Sequence, residues 1–291
     1  MLDPRGSLPP GHVEDIVARS LAEDVGRGDL TTHLLVSRLA QGVGVIRARQ
    51  PMVLAGGAVA ATVFAQVDSD LRYTQKHADG SHLGAGDEIG RVVGRCASIL
   101  TGERTALNFL QRLSGIATLA AAAVEKVART GVVLMDTRKT TPGLRLLEKQ
   151  AVRAGGVSNH RCGLDDGILI KENHIVCCAS PAAAVRQARE GSPRHLRVEV
   201  EIDRLGDLEP VIAAGAELVL LDNFQPGDLR EAVRRAGDRV LLEASGGIVL
   251  QNIADYAATG VHRLSLGFLT HSAPAADLSL ELTAESRPNG H

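Results

Sequence analysis

Short apolar runs alternate with amphipathic stretches through the second half of the chain. The apolar runs are VVLMD (132–136), GILIK (167–171), LRVEVE (196–201), ELVLLD (217–222), VLLEA (240–244) and RLSLG (263–267). Between them, LRLLEKQAVRAG, PAAAVRQARE, LGDLEPVIAAG, GDLREAVRRAG and LQNIADYAATG space their apolar residues as helices do. This alternation predicts a parallel sheet with right-handed helical crossovers. Six strands are fewer than the eight of a complete barrel and would also fit an open doubly wound sheet. Because no glycine-rich dinucleotide motif follows the first strand, we favour an α/β barrel, either complete or incomplete.

The first part of the chain has a different order of predicted helices and strands. It predicts helices over 12–25 and 58–67, and strands over 42–49, 51–57, 71–76 and 88–95. A long helix follows from about Ser98 to Ala128, with Gly115 as a candidate break. GDLTT (28–32) either caps a helix or closes a loop.

We therefore predict an N-terminal α/β domain over 1–115, a barrel domain over 116–272 and a C-terminal segment over 273–291. Residues 1–12 and the end of the C-terminal segment are expected to be flexible, and that segment is expected to pack back on the N-terminal domain.

Composition narrows the class of protein. Of 291 residues 44% are hydrophobic, which predicts a folded globular chain. A net charge of −2, only 2% aromatic residues and no Trp argue against nucleic-acid and membrane partners. The start has no apolar signal region, and the cysteines lack metal-binding spacing, so free thiols and a cytoplasmic location are expected.

Polar residues follow every predicted barrel strand. The strand ends carry Asp136 to Lys139, Lys171 to His174, Glu199 to Glu201, Asp222 with Asn223, Glu243 to Gly247, and Ser265 to Gly267. One such group is usually a solvated strand end. Six together predict a functional site, because the carboxyl ends of barrel strands meet at one rim.

The residue types at this rim indicate an anionic substrate. Arg138, Lys139, Arg161 and Lys171 are cations suited to carboxylates and phosphates, and His160 adjoins Arg161.

Other groups leave alternatives open. The Ser-Gly-Gly and Ser-Leu-Gly loops after the last two strands fit either a phosphate cradle or plain turns. Glu201 and Asp222 suit Mg²⁺, ribose hydroxyls or salt bridges. Taken alone, Arg104 is interpreted as a charged surface residue. Lys171 could form a Schiff base, as in barrel aldolases, instead of binding an anion.

Eight motifs, taken in order, resemble the quinolinate phosphoribosyltransferase family over roughly residues 14 to 283. They are GDLTT, ERTALNFLQRLSGIAT, DTRKTTPGLR, NHRCGLDDGILIKENH, EVEI, LLDN, EASGGI and SLGFLTHS. The resemblance implies an N-terminal open α/β sandwich followed by an incomplete, seven-stranded α/β barrel. It also implies a homodimer, or a higher oligomer, in which one subunit helps close the barrel of the other.

The resemblance further implies a reaction and its residues. Quinolinate and phosphoribosyl pyrophosphate would give nicotinate mononucleotide, pyrophosphate and CO₂ in NAD biosynthesis, with Mg²⁺ required. The implied catalytic residues are Lys139, Lys171, Glu201 and Asp222, the last two also addressing ribose and metal. Quinolinate would meet Arg138, His160, Arg161 and Lys171, together with Arg104 of the partner subunit. Phosphates would meet Lys139, Lys171, Ser245, Gly246, Gly247, Ser265, Leu266 and Gly267, and Thr137 and His271 complete the site.

Departures from the family pattern at Gln150, Val157 and Cys162 concern loop geometry and packing rather than charge. Three other readings stay open: a Schiff-base lyase acting through Lys171, a related phosphoribosyltransferase with another acceptor, and a non-catalytic sugar-phosphate-binding protein.

Overall fold

The structure is a computed structural model that describes residues 8–193 and 195–285. The chain divides into two compact units. The first contains Ala122–Thr140 and Val157–Ser272, and the second contains the residues up to Ala121, Thr141–Gly156 and the residues from Ala273 onward. The three domain boundaries predicted from the sequence stay a prediction, and residues 1–7 and 286–291 lie outside the described part.

Helices and strands together account for most of the described chain. The helices are α1 His12–Val25, α2 Leu30–Leu35, α3 Gly57–Val67, α4 Cys96–Val127, α5 Arg145–Ala154, α6 Glu172–Ile175, α7 Pro181–Gly191, α8 Leu208–Ala213, α9 Pro226–Ala236, α10 Ile253–Ala257 and α11 Phe268–His271. The strands are β1 Gln41–Ala48, β2 Met52–Val53, β3 Arg72–Gln75, β4 His82–Leu83, β5 Glu88–Arg95, β6 Val133–Met135, β7 Ile168–Ile170, β8 Val198–Ile202, β9 Leu218–Asp222, β10 Leu241–Ser245, β11 Arg263–Ser265 and β12 Leu278–Ala284. Short 3₁₀ turns lie at Leu205–Asp207 and Gly237–Arg239.

The second unit is built on an antiparallel sheet in the order β12-β1-β5-β3. Alternate residues of β1 are buried, which is the pattern of a strand with one covered face. The predicted strand over 51–57 shortens to β2, which pairs with β4 in a separate two-stranded sheet. The mixed α/β architecture predicted for this part of the chain is confirmed.

Two details of this unit refine the sequence interpretation. Asp29 in GDLTT caps α2, where its carboxylate accepts the backbone N–H of Thr32 at 3.0 Å. The candidate break at Gly115 does not occur, since α4 is one continuous helix. A Cβ at Gly115 would lie 2.0 Å from the carbonyl oxygen of Pro274, so the glycine permits close backbone approach.

Helix α4 is the one helix in the described residues that is long and apolar enough, by length and composition alone, to cross a membrane. Its most apolar 18-residue window is 56% buried inside the protein. The helix also carries Glu103, Arg104 and Arg112. We therefore interpret α4 as a core helix.

The first unit is built on a parallel sheet in the order β6-β11-β10-β9-β8-β7. Ser158 forms a parallel bridge with Met135 on β6, so one residue occupies the place of the seventh expected strand. Among the described residues β6 and β7 are the ends of the strand order. This parallel sheet agrees with the predicted incomplete barrel.

The barrel strands point alternate side chains to opposite faces of the sheet. All five residues of β8 are buried, as expected for a strand covered on both faces. Glu199 and Glu201 share one face, and so do Glu243 and Ser245, because side chains two positions apart point the same way. The acidic residues of β8 therefore form successive layers on one face of the sheet.

Candidate functional site

A cavity of about 470 Å³ lies at the carboxyl ends of the barrel strands. Its lining is polar, and it contains four cations and four acids. The lining residues are Asp136, Thr137, Arg138, Lys139, His160, Arg161, Leu169, Lys171, Glu172, Glu201, Leu220, Asp222, Ser245 and Ser265. All of them belong to the first unit.

Arg138 and Arg161 make the cavity suitable for an anion. The Nε atom of Arg138 is buried and has no hydrogen-bond partner among the described residues. Burial, followed by the charge of Arg138, lowers the pKa of Arg161. An unpartnered guanidinium beside a second cation is costly unless a ligand neutralises it, so this pair favours binding of a carboxylate or phosphate.

The carboxylate of Glu201 lies between a cation and another acid. Lys171 Nζ donates to Glu201 Oε2 at 2.5 Å. Burial nevertheless raises the pKa of Glu201 to about 7, and a hydrogen bond with Glu172 acts in the same direction. The pKa of Glu172 is lowered, first by its hydrogen bond with Glu201. Burial also raises the pKa of Asp222, against the attraction of Lys171.

The segment Asn159 to Arg161 is anchored by Asp136 at the end of β6. Asp136 is fully buried, and its two carboxylate oxygens accept the Asn159 side-chain amide and the His160 backbone N–H, each at 2.7 Å. Arg161 donates its own backbone N–H to His160 Nδ1 at 2.7 Å and its Nη1 to the Gly167 carbonyl at 2.9 Å. Asp136 therefore organises the loop that presents Arg161.

A buried acidic pair adjoins the same histidine. His160 Nε2 lies 3.2 Å from Glu199 Oε2 and 3.5 Å from Glu243 Oε1. The Ser265 hydroxyl also donates to Glu243 Oε1, and Arg263 Nη1 lies 4.0 Å from Glu243 Oε2. Each of the six predicted strands brings at least one polar side chain to the cavity, but Glu199 and Glu243 are not among these side chains. Both are buried and neither lines the cavity, because their layer lies deeper in the barrel than Glu201 and Ser245.

A side chain would not fit at Gly246 and would be crowded at Gly267, both in the predicted phosphate loops. Gly246 has φ +88°, and a Cβ there would lie 2.2 Å from Asn223 Oδ1. A Cβ at Gly267 would lie 3.0 Å from Lys139 Cδ. The backbone of these loops therefore approaches the neighbouring strand ends closely, as a phosphate cradle requires.

The cavity brings together most of the residues predicted from the sequence. Those that line it are Thr137, Arg138, Lys139, His160, Arg161, Lys171, Glu201, Asp222, Ser245 and Ser265. The other predicted residues do not line it: Gly246, Gly247, Leu266, Gly267, His271 and Arg104. Leu266 is fully buried, His271 is exposed beside Ser272, and Arg104 is exposed on α4 in the second unit.

The sequence analysis assigned no individual role to three contributors to this site. Asp136 and Glu172 line the cavity, and Asn159 connects Asp136 to the loop of Arg161. Asp136 and Glu172 were visible as polar residues following strands. Asn159 directly precedes the His-Arg pair, and that position is its only signal.

Two sets of residues could hold a divalent cation. Glu201 and Asp222 line the cavity and offer the carboxylate oxygens that Mg²⁺ prefers. His160, Glu199 and Glu243 place ligand atoms within 4.8 Å of one another, but this group is already linked internally through His160 and Ser265. Glu201 and Asp222 are the better candidates, because both carboxylates border the cavity.

Comparison with family models matches both parts of the chain. Residues 29–114 match the model "Quinolinate phosphoribosyl transferase, N-terminal domain", and residues 116–281 match "Quinolinate phosphoribosyl transferase, C-terminal domain".

Similar proteins match over nearly the full length of the chain. A probable nicotinate-nucleotide pyrophosphorylase [carboxylating] of Bacillus subtilis is 41% identical over 90% of each chain. The Mycobacterium leprae nicotinate-nucleotide pyrophosphorylase [carboxylating] is 43% identical over 92% of this chain and 96% of its own. The solved structure of the Francisella tularensis nicotinate-nucleotide pyrophosphorylase aligns with a TM-score of 0.92 at 40% identity, covering 97% of this chain and 99% of that one.

Proposed function

Because the chain belongs to the quinolinate phosphoribosyltransferase family, we propose that its barrel cavity joins quinolinate to phosphoribosyl pyrophosphate. The products are nicotinate mononucleotide, pyrophosphate and CO₂, a step of NAD biosynthesis. The observation that carries the assignment of the cavity is the buried, unpartnered Nε of Arg138 beside Arg161. Quinolinate is a dicarboxylate, and its two charges match these two guanidinium groups.

The acceptor is held by cations at one side of the cavity. Arg138 and Arg161 bind its carboxylates through their forked N–H groups, and Lys171 adds a third charge. Holding the pyridine ring in this way directs its nitrogen at the anomeric carbon of the second substrate. Such positioning converts an encounter between two molecules into a step within one complex.

The first chemical step makes one bond and breaks another. The pyridine nitrogen forms a bond to the anomeric carbon, and the bond from that carbon to the pyrophosphate oxygen breaks. Positive charge develops on the ribose ring, where Glu201 and Asp222 stabilise it. Lys139 attracts the departing pyrophosphate, and the Ser245 and Ser265 loops hold the 5′-phosphate.

Mg²⁺ is supported as a cofactor by the donor set of Glu201 and Asp222. When bound, Mg²⁺ supplies positive charge that neutralises pyrophosphate oxygens. Burial raises the pKa of both acids, and a bound divalent cation would favour their ionised forms.

The second step releases CO₂ from the pyridinium adduct. The bond from ring carbon 2 to its carboxylate breaks, and the electron pair stays on the ring, where the positively charged nitrogen stabilises it. A proton from water then joins carbon 2 to give nicotinate mononucleotide. The cations that held the dicarboxylate keep the remaining carboxylate in place during this step.

A homodimer with shared active sites is the proposed assembly. Four leucines of one short segment are 78 to 81% exposed: Leu30, Leu34, Leu35 and Leu39. An apolar patch of this kind suggests a protein interface, and a second copy of the chain is the occupant we propose. Arg104 of the partner subunit would then reach the acceptor site, consistent with its exposed position on α4.

A cytoplasmic location is also proposed. All four cysteines are free thiols in the structure, as expected in a reducing compartment.

The Schiff-base reading is less well supported. A Schiff-base nucleophile must be a neutral amine, and Lys171 instead forms a 2.5 Å ion pair with Glu201. A related phosphoribosyltransferase with another acceptor lacks a specific observation in its favour, since the paired arginines match a dicarboxylate.

A product assay tests the proposed function directly. Purified protein is incubated with quinolinate and phosphoribosyl pyrophosphate, with and without Mg²⁺, while CO₂ and pyrophosphate are measured. Equal amounts of both products, formed only when both substrates are present, are expected. Failure to form them, or equal turnover of nicotinate in place of quinolinate, would overturn the assignment.

Shared active sites are tested by mixing two inactive variants, Arg104→Ala and Lys171→Ala. If each site combines Lys171 of one subunit with Arg104 of the partner subunit, a mixed dimer has one intact site. Random exchange should then restore about one quarter of wild-type activity. No recovery after demonstrated subunit exchange would contradict the sharing.

A further inference from the structure

His160 contacts protein groups through both ring nitrogens, and only one tautomer satisfies both contacts. Nδ1 accepts the backbone N–H of Arg161 at 2.7 Å, so it cannot carry a hydrogen. The hydrogen therefore lies on Nε2, which faces Glu199 at 3.2 Å and Glu243 at 3.5 Å. The two acids thus favour the tautomer that holds the backbone of Arg161.

Packing alone does not explain two acids at this depth. Glu243 is fully buried, and the side chain of Glu199 is only 7% exposed. Burial, and then the charge of Glu199, raises the pKa of Glu243. Because apolar residues would fill such positions at lower free energy, the pair indicates a requirement for hydrogen-bond acceptors at this point.

Arg161 needs firm support, because it is held near another cation. The charge of Arg138 disfavours the charged form of Arg161, so the two guanidinium groups repel each other. The charges of Glu199 and Asp166 oppose this repulsion, and two contacts hold Arg161: the backbone N–H bond to His160 and the 2.9 Å bond from Arg161 Nη1 to the Gly167 carbonyl. Loss of the first contact would leave the bond to Gly167 as the hydrogen bond that holds this residue.

We propose that Glu199 and Glu243 are positioning residues for the acceptor, which act through His160 to keep Arg161 in place. Neither residue lines the cavity, so neither touches the substrate. The inference rests on the proposed function, because it takes Arg161 as a ligand of quinolinate. It adds two residues on β8 and β10 that support the acceptor site from inside the barrel.

Steady-state kinetics of paired variants test this role. Glu199→Leu removes the acceptor for His160 Nε2, whereas Glu199→Gln keeps a carbonyl oxygen there. In Glu199→Leu we expect the KM for quinolinate to rise about tenfold or more, with little change in the KM for phosphoribosyl pyrophosphate. In Glu199→Gln the KM for quinolinate should stay within about threefold of wild type. At Glu243, too, the leucine substitution should raise the KM for quinolinate more than the glutamine substitution does.

A stability control separates positioning from general loosening of the barrel. Val219 is fully buried on β9, on the face opposite to the neighbouring cavity-lining residues Leu220 and Asp222. Val219→Ala should lower the melting temperature while leaving the KM for quinolinate unchanged. The proposal would be overturned if Val219→Ala and the Glu199 variants all raised the KM for quinolinate in proportion to their loss of melting temperature.

The tautomer of His160 provides a second readout, which does not depend on how the leucine variants fold. Nitrogen-15 NMR of histidine-labelled wild-type protein should show hydrogen on Nε2, with the signal assigned by its loss in His160→Asn. Glu199→Gln should keep this tautomer. Hydrogen on Nδ1 in the wild-type protein would overturn the proposal.

Arg161→Ala distinguishes failure of this inference from failure of the proposed function. If Arg161→Ala leaves the KM for quinolinate unchanged, the acceptor-site assignment is wrong. If Arg161→Ala raises this KM and Glu199→Leu does not, only the role of the acidic pair is wrong.

Discussion

Replacing Arg138 with methionine should separate ligand binding from stability. Methionine keeps much of the length of the side chain but removes the charge and the N–H donors. In the structure the Nε of Arg138 has no hydrogen-bond partner among the described residues, and its charge opposes that of Arg161. The free protein therefore loses little when Arg138 is removed, whereas the complex with quinolinate loses a ligand.

The size of the kinetic effect follows from the lost hydrogen bonds. A guanidinium fork makes two bonds to a carboxylate, each worth roughly 1.5 to 3 kcal/mol when a charged group is involved. Water entering the open cavity would partly replace them, so the lower end, about 3 kcal/mol in total, is the better estimate. This corresponds to a fall of about two orders of magnitude in kcat/KM for quinolinate.

The assay measures initial rates with quinolinate varied at saturating phosphoribosyl pyrophosphate, together with thermal unfolding of the free protein. Arg235→Met is the matched control, because Arg235 is an exposed arginine whose guanidinium pairs with Glu231 at the surface. In Arg138→Met we expect a large fall in kcat/KM for quinolinate and an unchanged or raised melting temperature. In Arg235→Met we expect no comparable fall in kcat/KM and no comparable change in melting temperature. A kcat/KM within about threefold of wild type would refute the reasoning.

Three further predictions concern ionisation, a buried ion pair and a glycine. Burial raises the pKa of Glu201 to about 7, so half of its carboxyl groups are protonated at that pH and more become protonated as the pH falls. We therefore expect kcat/KM to fall as the pH drops through about 7, and this fall should be absent in Glu201→Gln. Arg112 pairs with the fully buried Glu148 at 2.8 Å. Arg112→Leu leaves the charge of Glu148 buried without this partner, so it should lower the free energy of unfolding in urea by about 3 to 5 kcal/mol. The double variant with Arg112→Leu and Glu148→Leu should lower it by much less, because no buried charge is left. Gly246→Ala should lower stability by at least about 1 kcal/mol in thermal unfolding, because its left-handed backbone disfavours a side chain and its Cβ would lie 2.2 Å from Asn223 Oδ1.

Repeating patterns made the barrel strands predictable. Each of the six predicted strands overlaps an observed one, because strands buried on both faces are continuous apolar runs. β12 was not predicted, although Leu278, Leu280 and Leu282 alternate with polar residues as in a half-buried strand. The pattern was present in the sequence, but its partner β1 lies more than 200 residues away, and pairing over such a distance leaves no local signal.

The sequence predicted the residue types of the candidate site, but it could not predict which of these residues line the cavity. The sequence places Glu199 and Glu201 on the same face of one strand, since they are two positions apart. Which of the two reaches the cavity depends on the tilt and stagger of all the barrel strands. Both are properties of the tertiary structure, and the local sequence does not determine them. The contact of His160 with Glu199 and Glu243 joins three separate segments, so it could be recognised only in the folded structure.

The pairing of β12 with β1 has a consequence for how the protein is made. Residues near the end of the chain complete a sheet that begins near its start, from Gly42 opposite Ala284 to Ala48 opposite Leu278. During synthesis, β1 therefore emerges from the ribosome more than 200 residues before β12 and keeps one unpaired edge until β12 follows. An exposed strand edge is prone to pair with other chains, so the growing polypeptide passes through a period of aggregation risk that ends when β12 pairs with β1.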